Sequence, residues 1–590
     1  MGQFFKFLFA SCLGVLLAIG VIAGISISAI ASLASEADKP KAIQPNSVLK
    51  LTLNQALPER TNNTAEVNIY DLKQSQVLGI HDIIYCLEQA KEDDNIKGIY
   101  LEVESIAGGI GSAKLLQDAL EAFQESGKFI ISYGRFYSQG AYFLSSVADE
   151  IIVNPIGVVD FRGFSAQIPF FKNMLDKVGV NMQVVYAGKF KSATEPYRRT
   201  NMSDENRLQV REYLDEMYAI FLEDISKARG LEVATLHQLA NDYVGIDPLQ
   251  AQATGLVDKV GYADEAHASI REAIGLDSDE DIKFVSLNRY FSNQPKRANF
   301  KEKNRIAVVY AEGTIVDGKG ESGSVGDEKY VKILRKLREN DKVKAIVLRV
   351  NSGGGSAMSS ENIWREVRLA QEEGKIVVAS MGDYAASGGY YIAAPADTIV
   401  AQSNTLTGSI GVFSVIPSLN KMLNDKVGIN FDTVKTADLA TGISFVYDMS
   451  PAERAILQAR TNEMYEIFLK RVSDGRGMSR DEVHEIAQGR VWTGNKAKEI
   501  GLVDEIGDLE DAIAMAEHMA GLEGYRLMEY PAVKEPLQQL LEEYLLDEEV
   551  LANTMMKAKL GDLYPHYEYL KEISDTKGVQ ARLPFIIPFE

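Results

Sequence analysis

The body of this 590-residue chain is duplicated, and the duplication limits its fold more than any other feature of the sequence. Residues 202–230 (MSDENRLQVREYLDEMYAIFLEDISKARG) align with residues 449–477 (MSPAERAILQARTNEMYEIFLKRVSDGRG), and 12 of these 29 positions are identical. The sequence GLVD occurs at Gly255–Asp258 and again at Gly501–Asp504, with nearly the same spacing. Solenoid repeats have periods of about 20–50 residues, so a period of about 250 residues indicates a duplicated domain.

Each half of the body shows the same order of predicted elements, in which strands alternate with helices. In the first half the elements are Gly98–Val103, Ala113–Gln124, Phe129–Tyr133, Ala141–Val147 and Glu150–Val153. In the second half they are Ile306–Tyr310, Ala345–Val350, Ser360–Glu373, Ile376–Ser380, a short helix after Ala386, and Thr398–Ala401. The alternation predicts an α/β fold with a largely parallel sheet in each half.

The duplication divides the chain into five predicted segments. They are an N-terminal membrane anchor and linker (1–46), a first repeat (47–265), a connector (266–304), a second repeat (305–524) and a C-terminal extension (525–590). The extension is acidic at first and ends in the apolar stretch Leu583–Phe589.

An uncharged apolar stretch, Phe7–Leu33, lies near the N-terminus. Its length exceeds the roughly 20 residues that a helix needs to cross a bilayer, which predicts a single-pass transmembrane helix. The alternative is a cleaved signal peptide, because Ala29–Ala31 (AIA) has the small residues of a cleavage site. Signal peptides, however, have apolar regions of only about 7–15 residues. Under either interpretation the body is exported.

Composition argues against a nucleic-acid partner and against a cofactor. The formal net charge of −21 is opposite to the basic surface that phosphate binding requires. The two cysteines, Cys12 and Cys86, and the six histidines show no metal-ligand spacing. The glycine run Gly353–Gly355 lacks the lysine that follows in nucleotide-binding P-loops. We therefore predict no nucleic acid, metal or cofactor.

Two glycine-rich junctions are the candidate catalytic elements. Ser387 lies in one of them (AASGGYY), where a sharp strand-to-helix turn would present its hydroxyl and the N–H of Gly388. The other (NSGGGS) offers the N–H groups of Gly354 and Gly355. At the ends of adjacent strands, these donors would form an oxyanion hole beside a serine nucleophile. The alternative is that the glycines serve tight turns only.

A serine nucleophile needs a base, and histidine is a poor candidate for it here. Every histidine lies away from both junctions, in a stretch with helical character and no accompanying motif. The six are His81, His237, His267, His484, His518 and His566. We predict that they are ordinary core or surface residues.

Four motifs together resemble those of the long-form signal peptide peptidase A family, and the resemblance covers nearly the whole chain. They are Lys191–Tyr197 (KSATEPY), Arg349–Ser356 (RVNSGGGS), Ala385–Tyr391 (AASGGYY) and Thr405–Gly411 (TLTGSIG). The resemblance implies tandem Clp-protease/crotonase-like domains and a serine endopeptidase with a Ser–Lys dyad. One departure is Gly353, where the family commonly has proline.

The resemblance also implies the roles of single residues. Ser387 matches the nucleophile, Lys191 the general base, and Ser409 the second serine that orients the lysine. Lys189 is close in sequence but does not match the motif. Because an ordinary lysine has a pKa of about 10.4, Lys191 must be buried to be neutral near physiological pH. A close carboxylate would raise its pKa, so we expect Glu195 to point away, toward Arg198 or Arg199.

The repeat indicates a divided site. The first repeat has Gln139 where the second has Ser387, and the second has Leu439–Ala440 where the first has Lys191, with Lys435 about five residues away. Neither half therefore contains a complete dyad. The site is predicted between the two halves, either within one chain or between neighbouring chains.

The resemblance finally implies substrates, location and assembly. The substrates are signal-peptide remnants and other short hydrophobic or unfolded peptides. The chain is placed in the bacterial inner membrane with its catalytic body on the periplasmic side, as a homotetramer. Two alternatives remain: an acyl-CoA hydratase or thioesterase on the same fold, and a non-catalytic membrane-tethered scaffold.

Overall fold

The computed structural model describes residues 42–53, 57–61, 77–295, 301–321, 323–532, 556, 559–560 and 579–583. The predicted transmembrane stretch, Phe7–Leu33, lies outside the described residues. Among the helices that are described, none is both long and apolar enough to cross a bilayer.

The first repeat is built on a parallel sheet. The strands in this part of the chain are β1 (Ser47–Leu51), β2 (Ile96–Leu101), β3 (Phe129–Gly134), β4 (Glu150–Val153), β5 (Asn181–Ala187), β6 (Lys259–Val260) and β7 (Lys283–Ser286). All of them except β5, which joins another sheet, belong to the parallel sheet. The strand order is β6-β4-β3-β2-β1-β7, and each neighbouring pair is parallel. Strands β2 and β3 are buried along almost their whole length, as expected where helices cover both faces of a parallel sheet.

Helices and two 3₁₀ turns, Ser192–Thr194 and Val244–Ile246, accompany these strands. The helices are α1 (Ile80–Glu92), α2 (Ile110–Gln124), α3 (Gln139–Ser145), α4 (Lys172–Val178), α5 (Glu195–Arg198), α6 (Asp204–Arg229), α7 (Val233–Asn241), α8 (Pro248–Ala253), α9 (Ala263–Ile274) and α10 (Leu287–Asn293).

An eight-stranded sheet forms the centre of the second repeat. The strands that follow in the chain are β8 (Arg305–Glu312), β9 (Thr314–Val316), β10 (Ser324–Gly326), β11 (Val343–Ser352), β12 (Gly354–Ser356), β13 (Ile376–Ala386), β14 (Thr398–Ala401), β15 (Leu406–Gly408), β16 (Val412–Ser418), β17 (Val491–Thr493), β18 (Glu505–Ile506) and β19 (Arg526–Tyr530). The sheet runs β17-β15-β13-β11-β8-β19, with β14 beside β13 and β18 beside β14. Strand β17 is antiparallel to β15, and the other pairs are parallel.

The helices of the second repeat continue the numbering. They are α11 (Asp327–Arg338), α12 (Ala357–Glu372), α13 (Gly388–Ala393), α14 (Pro451–Arg476), α15 (Arg480–Ile486), α16 (Gly494–Glu499) and α17 (Leu509–Met519), with a π-helical turn at Met422–Val427.

The duplication is visible helix by helix, and the predicted tandem α/β fold with largely parallel sheets is confirmed. Helices α6 and α14 each contain 26 residues. Each is capped by a serine side chain, Ser203 or Ser450, which accepts the N–H of the third helical residue. Each ends at a glycine, Gly230 or Gly477, with a left-handed backbone.

A third sheet joins the two repeats and the C-terminal extension. It contains one more strand, β20 (Gln580–Arg582), and runs β10-β9-β12-β20-β16-β5. Strands β5 and β16 pair antiparallel from Val412↔Ala187 to Ser418↔Asn181, so they tie the first repeat to the second. Strand β20 lies between β12 and β16, antiparallel to both.

Parts of the predicted connector and extension are strands of the repeat sheets. Strand β7, within residues 266–304, pairs with β1. Strand β19, within residues 525–590, pairs with β8. Both strands lie at an edge of their sheet.

A buried ion pair crosses between distant parts of the chain. Arg349 on β11 is 1% exposed, and its Nε donates to Oε2 of Glu59 at 2.9 Å. Its Nη1 also donates to Ser380 Oγ and to the carbonyl of Met381. Burial opposes ionisation of Glu59, but the charges of Arg349 and His81 outweigh it and lower the pKa of Glu59 to about 2.

Candidate active site

Ser387 lies on a strained turn between β13 and α13. Its backbone angles, φ 56° and ψ −114°, are ones that non-glycine residues rarely adopt. The turn is held because the Ser387 N–H donates to the Gly408 carbonyl and the Tyr391 N–H donates to the Ser387 carbonyl, both at 2.8 Å. The side chain is fully buried. The predicted strand Ile376–Ser380 is too short, because β13 continues to Ala386 and carries the chain directly to this turn.

Lys191 follows β5 in a loop that packs against the second repeat. The Phe190 N–H donates to the Gln488 carbonyl at 2.8 Å. Gly489 has a φ of 81°, and a Cβ there would lie 2.6 Å from the Lys191 nitrogen, so a side chain has no room. The backbone of Lys191 is thus positioned by residues of the other repeat.

The structure brings Lys191, Ser387 and Ser409 together within one chain. The Nζ of Lys191 lies 2.8 Å from Ser387 Oγ, 3.0 Å from Ser409 Oγ and 3.0 Å from the Ser409 carbonyl oxygen. A neutral amine has one lone pair and two N–H bonds. Three such partners suit it, because the lone pair accepts the Ser387 hydroxyl proton while the two N–H bonds donate to Ser409.

The electrostatics of the site favour the neutral amine. Burial lowers the pKa of Lys191 well below its ordinary value, and the positive charge of Arg582 lowers it further. The carboxylate of Glu195, four residues on, is directed away from the amine. It accepts from the Ser203 N–H at 3.1 Å and the Asn206 amide at 3.0 Å, and lies 3.8 Å from Arg198.

The predicted oxyanion residues surround one carbonyl oxygen of the C-terminal extension. A Cβ on Gly354 would lie 2.1 Å from the Ala581 oxygen and 2.6 Å from the Gly388 nitrogen. A Cβ on Gly388 would lie 3.0 Å from the same oxygen and 3.1 Å from the Gly355 nitrogen. The glycines are needed here because side chains would fill the space that this carbonyl occupies.

The other candidate residues lie apart from this centre. Lys189 is exposed, with its Nζ 5.3 Å from the centre of the Phe190 ring. Lys435 is exposed as well. At the position equivalent to Ser387, the Gln139 side chain accepts from the Gly163 N–H at 2.8 Å. Among the described residues, no three His, Cys, Asp or Glu side chains are placed to hold a metal ion.

Gln209 on α6 is a positioning residue that the sequence did not reveal. Its Nε2 donates to the Phe190 carbonyl at 3.2 Å and lies 3.1 Å from Ser192 Oγ, while its Oε1 accepts from the Val491 N–H at 3.2 Å. It therefore ties the loop that carries Lys191 to β17 of the second repeat. Nothing in the helical pattern distinguishes this glutamine from its neighbours.

Ser409→Ala is expected to lower kcat for peptide hydrolysis about fivefold with little change in KM. The substitution removes one of the two acceptors that hold the amine, and a hydrogen bond contributes about 1 kcal/mol. Steady-state kinetics on a fluorogenic peptide check this, with Ser278→Ala in an exposed loop as the matched control. A change confined to KM would instead place Ser409 in substrate binding.

Comparisons with known proteins identify the family of the chain. The model of peptidase family S49 matches residues 122–277 and 369–523, one stretch in each repeat. Protease 4 of Haemophilus influenzae is 36% identical over 505 residues, which cover 83% of this chain and 82% of that protein. Protease 4 of Salmonella typhi is 37% identical over 460 residues, covering 76% and 74%. Serine protease SPPA, chloroplastic, of Arabidopsis thaliana is 30% identical over 505 residues, covering 85% and 73%.

Proposed function

This chain belongs to peptidase family S49 and is a serine protease, and we propose that it cleaves peptides with Ser387 as nucleophile and Lys191 as general base. One observation carries the proposal: a fully buried lysine amine lies 2.8 Å from a serine hydroxyl on a strained turn. Lys191 lies in the first repeat and Ser387 in the second repeat of the same chain, so one chain supplies both residues.

The proposed reaction is acyl transfer through the serine. The neutral amine of Lys191 takes the hydroxyl proton while Ser387 Oγ attacks the peptide carbonyl carbon. Backbone N–H groups of Gly355 and Gly388 face the carbonyl oxygen and stabilise its developing charge. The protonated amine then gives its proton to the leaving nitrogen. Water, activated by the same amine, hydrolyses the acyl-enzyme and restores Ser387.

The proposed substrates are signal-peptide remnants and other short hydrophobic or unfolded peptides. Strand β20 supports this size limit, because the space between β12 and β16 accepts a single extended strand. We also propose that Phe7–Leu33 anchors the chain in the bacterial inner membrane with the catalytic body on the periplasmic side. The support is the length and uncharged character of that stretch.

We propose a homotetramer as well, and an apolar surface on the second repeat supports self-association. Seven large apolar side chains between residues 427 and 445 have exposed fractions from 43% to 99%. They are Val427, Ile429, Phe431, Val434, Leu439, Ile443 and Phe445. An exposed cluster of this kind is typical of a protein–protein contact.

Hydrolysis of a fluorogenic apolar peptide is expected to follow the ionisation of Lys191. The neutral amine is the active form, so kcat/KM rises with pH through the lysine pKa and is constant above it. Because burial lowers that pKa, we expect the pH at which kcat/KM is half-maximal to lie well below the ordinary lysine pKa of about 10.4. Initial rates between pH 5 and pH 11 test both the activity and the base. A profile that first rises near pH 10.4 would exclude a buried neutral lysine as the base.

A further inference from the structure

A cavity of about 300 Å³ lies between the two repeats, at the place in the first repeat that corresponds to the active site of the second. Gln139, at the position equivalent to Ser387, lines this cavity. Ile110, which begins α2 as Ala357 begins α12, lines it as well. Ligand pockets measure about 300–1,000 Å³, so the cavity has room for one large side chain and the groups beside it. The first repeat thus lacks the nucleophile but retains a concave site around its position.

The cavity is mostly apolar, and its charged residues are already paired. Three side chains of the first repeat and two of the second form the apolar part: Phe164, Leu214, Met217, Tyr384 and Leu406. Arg162 Nε lies 2.8 Å from Asp160 Oδ1. Asp383 accepts from the N–H groups of Ser112 at 2.7 Å and Gly109 at 3.2 Å, at the beginning of α2. A neutral, largely apolar ligand therefore suits this cavity.

One buried amide side chain of the cavity, that of Asn404, is unpaired. Asn404 lies between β14 and β15 and is 1% exposed. Neither its Oδ1 nor its Nδ2 has a hydrogen-bond partner within the part of the chain that the structure describes. Buried polar groups are nearly always hydrogen-bonded, because an unpaired group keeps its full desolvation cost. Asn404 is therefore placed to bind a group that presents a donor and an acceptor in the same direction.

We propose that this cavity is a second, non-catalytic binding site, which takes an uncharged apolar segment of an extended peptide. In an extended chain the N–H and C=O of one residue point the same way, so they can pair with Oδ1 and Nδ2 of Asn404 together. An apolar side chain next to that residue packs against Met217 and Leu406. The site forms and breaks no covalent bond. The inference goes beyond the proposed function, because such binding needs neither Ser387 nor Lys191.

The cavity lies close enough to the dyad for one peptide to occupy both sites. Tyr384 pairs with Leu406 on the neighbouring strand, and each comes three residues before a serine of the active site, Ser387 or Ser409. At about 3.3 Å per strand residue, the cavity begins about 10 Å from the dyad. A peptide of about six residues spans this distance, whereas a shorter peptide binds at one site only. This consequence alone rests on the proposed function.

The test uses the full-length Ser387→Ala chain, so that the probe stays uncut. The probe is a capped pentapeptide of alanines around a central diazirine analogue of leucine. After irradiation and trypsin digestion, cross-links are located by mass spectrometry. They are expected on residues 212–227, the tryptic peptide of α6 that contains Leu214 and Met217.

Three further substitutions in the same background test the role of Asn404. Asn404→Leu is expected to lower the cross-linking about tenfold, because it removes both hydrogen bonds to the peptide. Without probe it is expected to be at least as stable toward urea as its parent, since it replaces an unpaired buried amide. Reduced stability would indicate a structural partner of Asn404 and would overturn the inference. Leu214→Trp fills the cavity, leaves Asn404 intact and is expected to abolish the cross-linking. Asn241→Leu, at the exposed end of α7, is the matched control and is expected to change nothing.

The outcomes separate this inference from the proposed function. Cross-links confined to residues 350–365, the tryptic peptide that contains β12 beside the dyad, would overturn the binding site and leave the peptidase assignment intact. Cross-linking that Asn404→Leu does not lower would overturn it as well. Cross-links on residues 212–227 that depend on Asn404, in a protein whose Ser387 form does not hydrolyse the fluorogenic peptide, would support the site and refute only the peptidase assignment.

Discussion

Ser387→Ala is expected to lower kcat/KM for a fluorogenic apolar peptide by at least about 10³-fold, and Lys191→Ala by a similar factor. The two residues act as one unit across a 2.8 Å contact, so the double variant is expected to be no slower than either single variant. Steady-state rates at one pH on the plateau of the wild-type profile measure the effect. Lys189→Ala is the matched control, because this exposed lysine lies two residues from the base.

A glycine at position 387 distinguishes loss of the nucleophile from loss of the folded structure. The backbone of Ser387 has a φ of 56° and a ψ of −114°, a conformation that costs a non-glycine residue about 1–3 kcal/mol. Ser387→Gly is therefore expected to be as inactive as Ser387→Ala but more stable toward urea. An inactive variant with reduced stability would attribute the lost activity to misfolding. Full activity in Ser387→Ala would refute the proposed mechanism and favour a non-catalytic scaffold.

Local pattern was sufficient for two short buried strands, one in each repeat. Glu150–Val153 and Thr398–Ala401 have their predicted bounds, because buried parallel strands are short apolar runs with clear ends. For the strand that begins at Ile376, the same pattern predicted an end at Ser380, six residues before its end at Ala386 in the structure. Residues 381–386 are strand because β11 and β15 pair with them, and partners so distant in sequence leave no local signal.

The contact between Lys191 and Ser387 was predictable for a different reason. Its residues lie 196 positions apart in the sequence, and their motifs, rather than any periodicity, connected them. The strand in the groove had only a weak signal. Residues 579–583 alternate apolar and polar, as a strand does, but alternation does not specify the partner strands. Gln209 and the Glu59–Arg349 pair gave no signal, because their contacts are determined by packing alone.

Glu59→Gln is expected to lower the free energy of unfolding by about 3–5 kcal/mol at neutral pH, because it leaves the Arg349 guanidinium buried without its counter-charge. The pKa of Glu59 is lowered from 4.5 to about 2 in the folded chain. The stabilisation from this ionisation is thus complete above about pH 4.5 and is lost as the pH falls toward 2. In the variant, stability is expected to depend less on pH across that interval.

Urea unfolding followed by tryptophan fluorescence measures this effect where it arises, since both tryptophans, Trp364 and Trp492, lie in the second repeat with Arg349. Glu466→Gln breaks an exposed pair with Arg480 and is expected to change stability by less than about 1 kcal/mol. Adding Arg349→Met to Glu59→Gln removes the unpaired charge and is expected to recover most of the loss. If the double variant is as unstable as Glu59→Gln, the damage comes from packing around Glu59, and the ion pair does not hold these segments together.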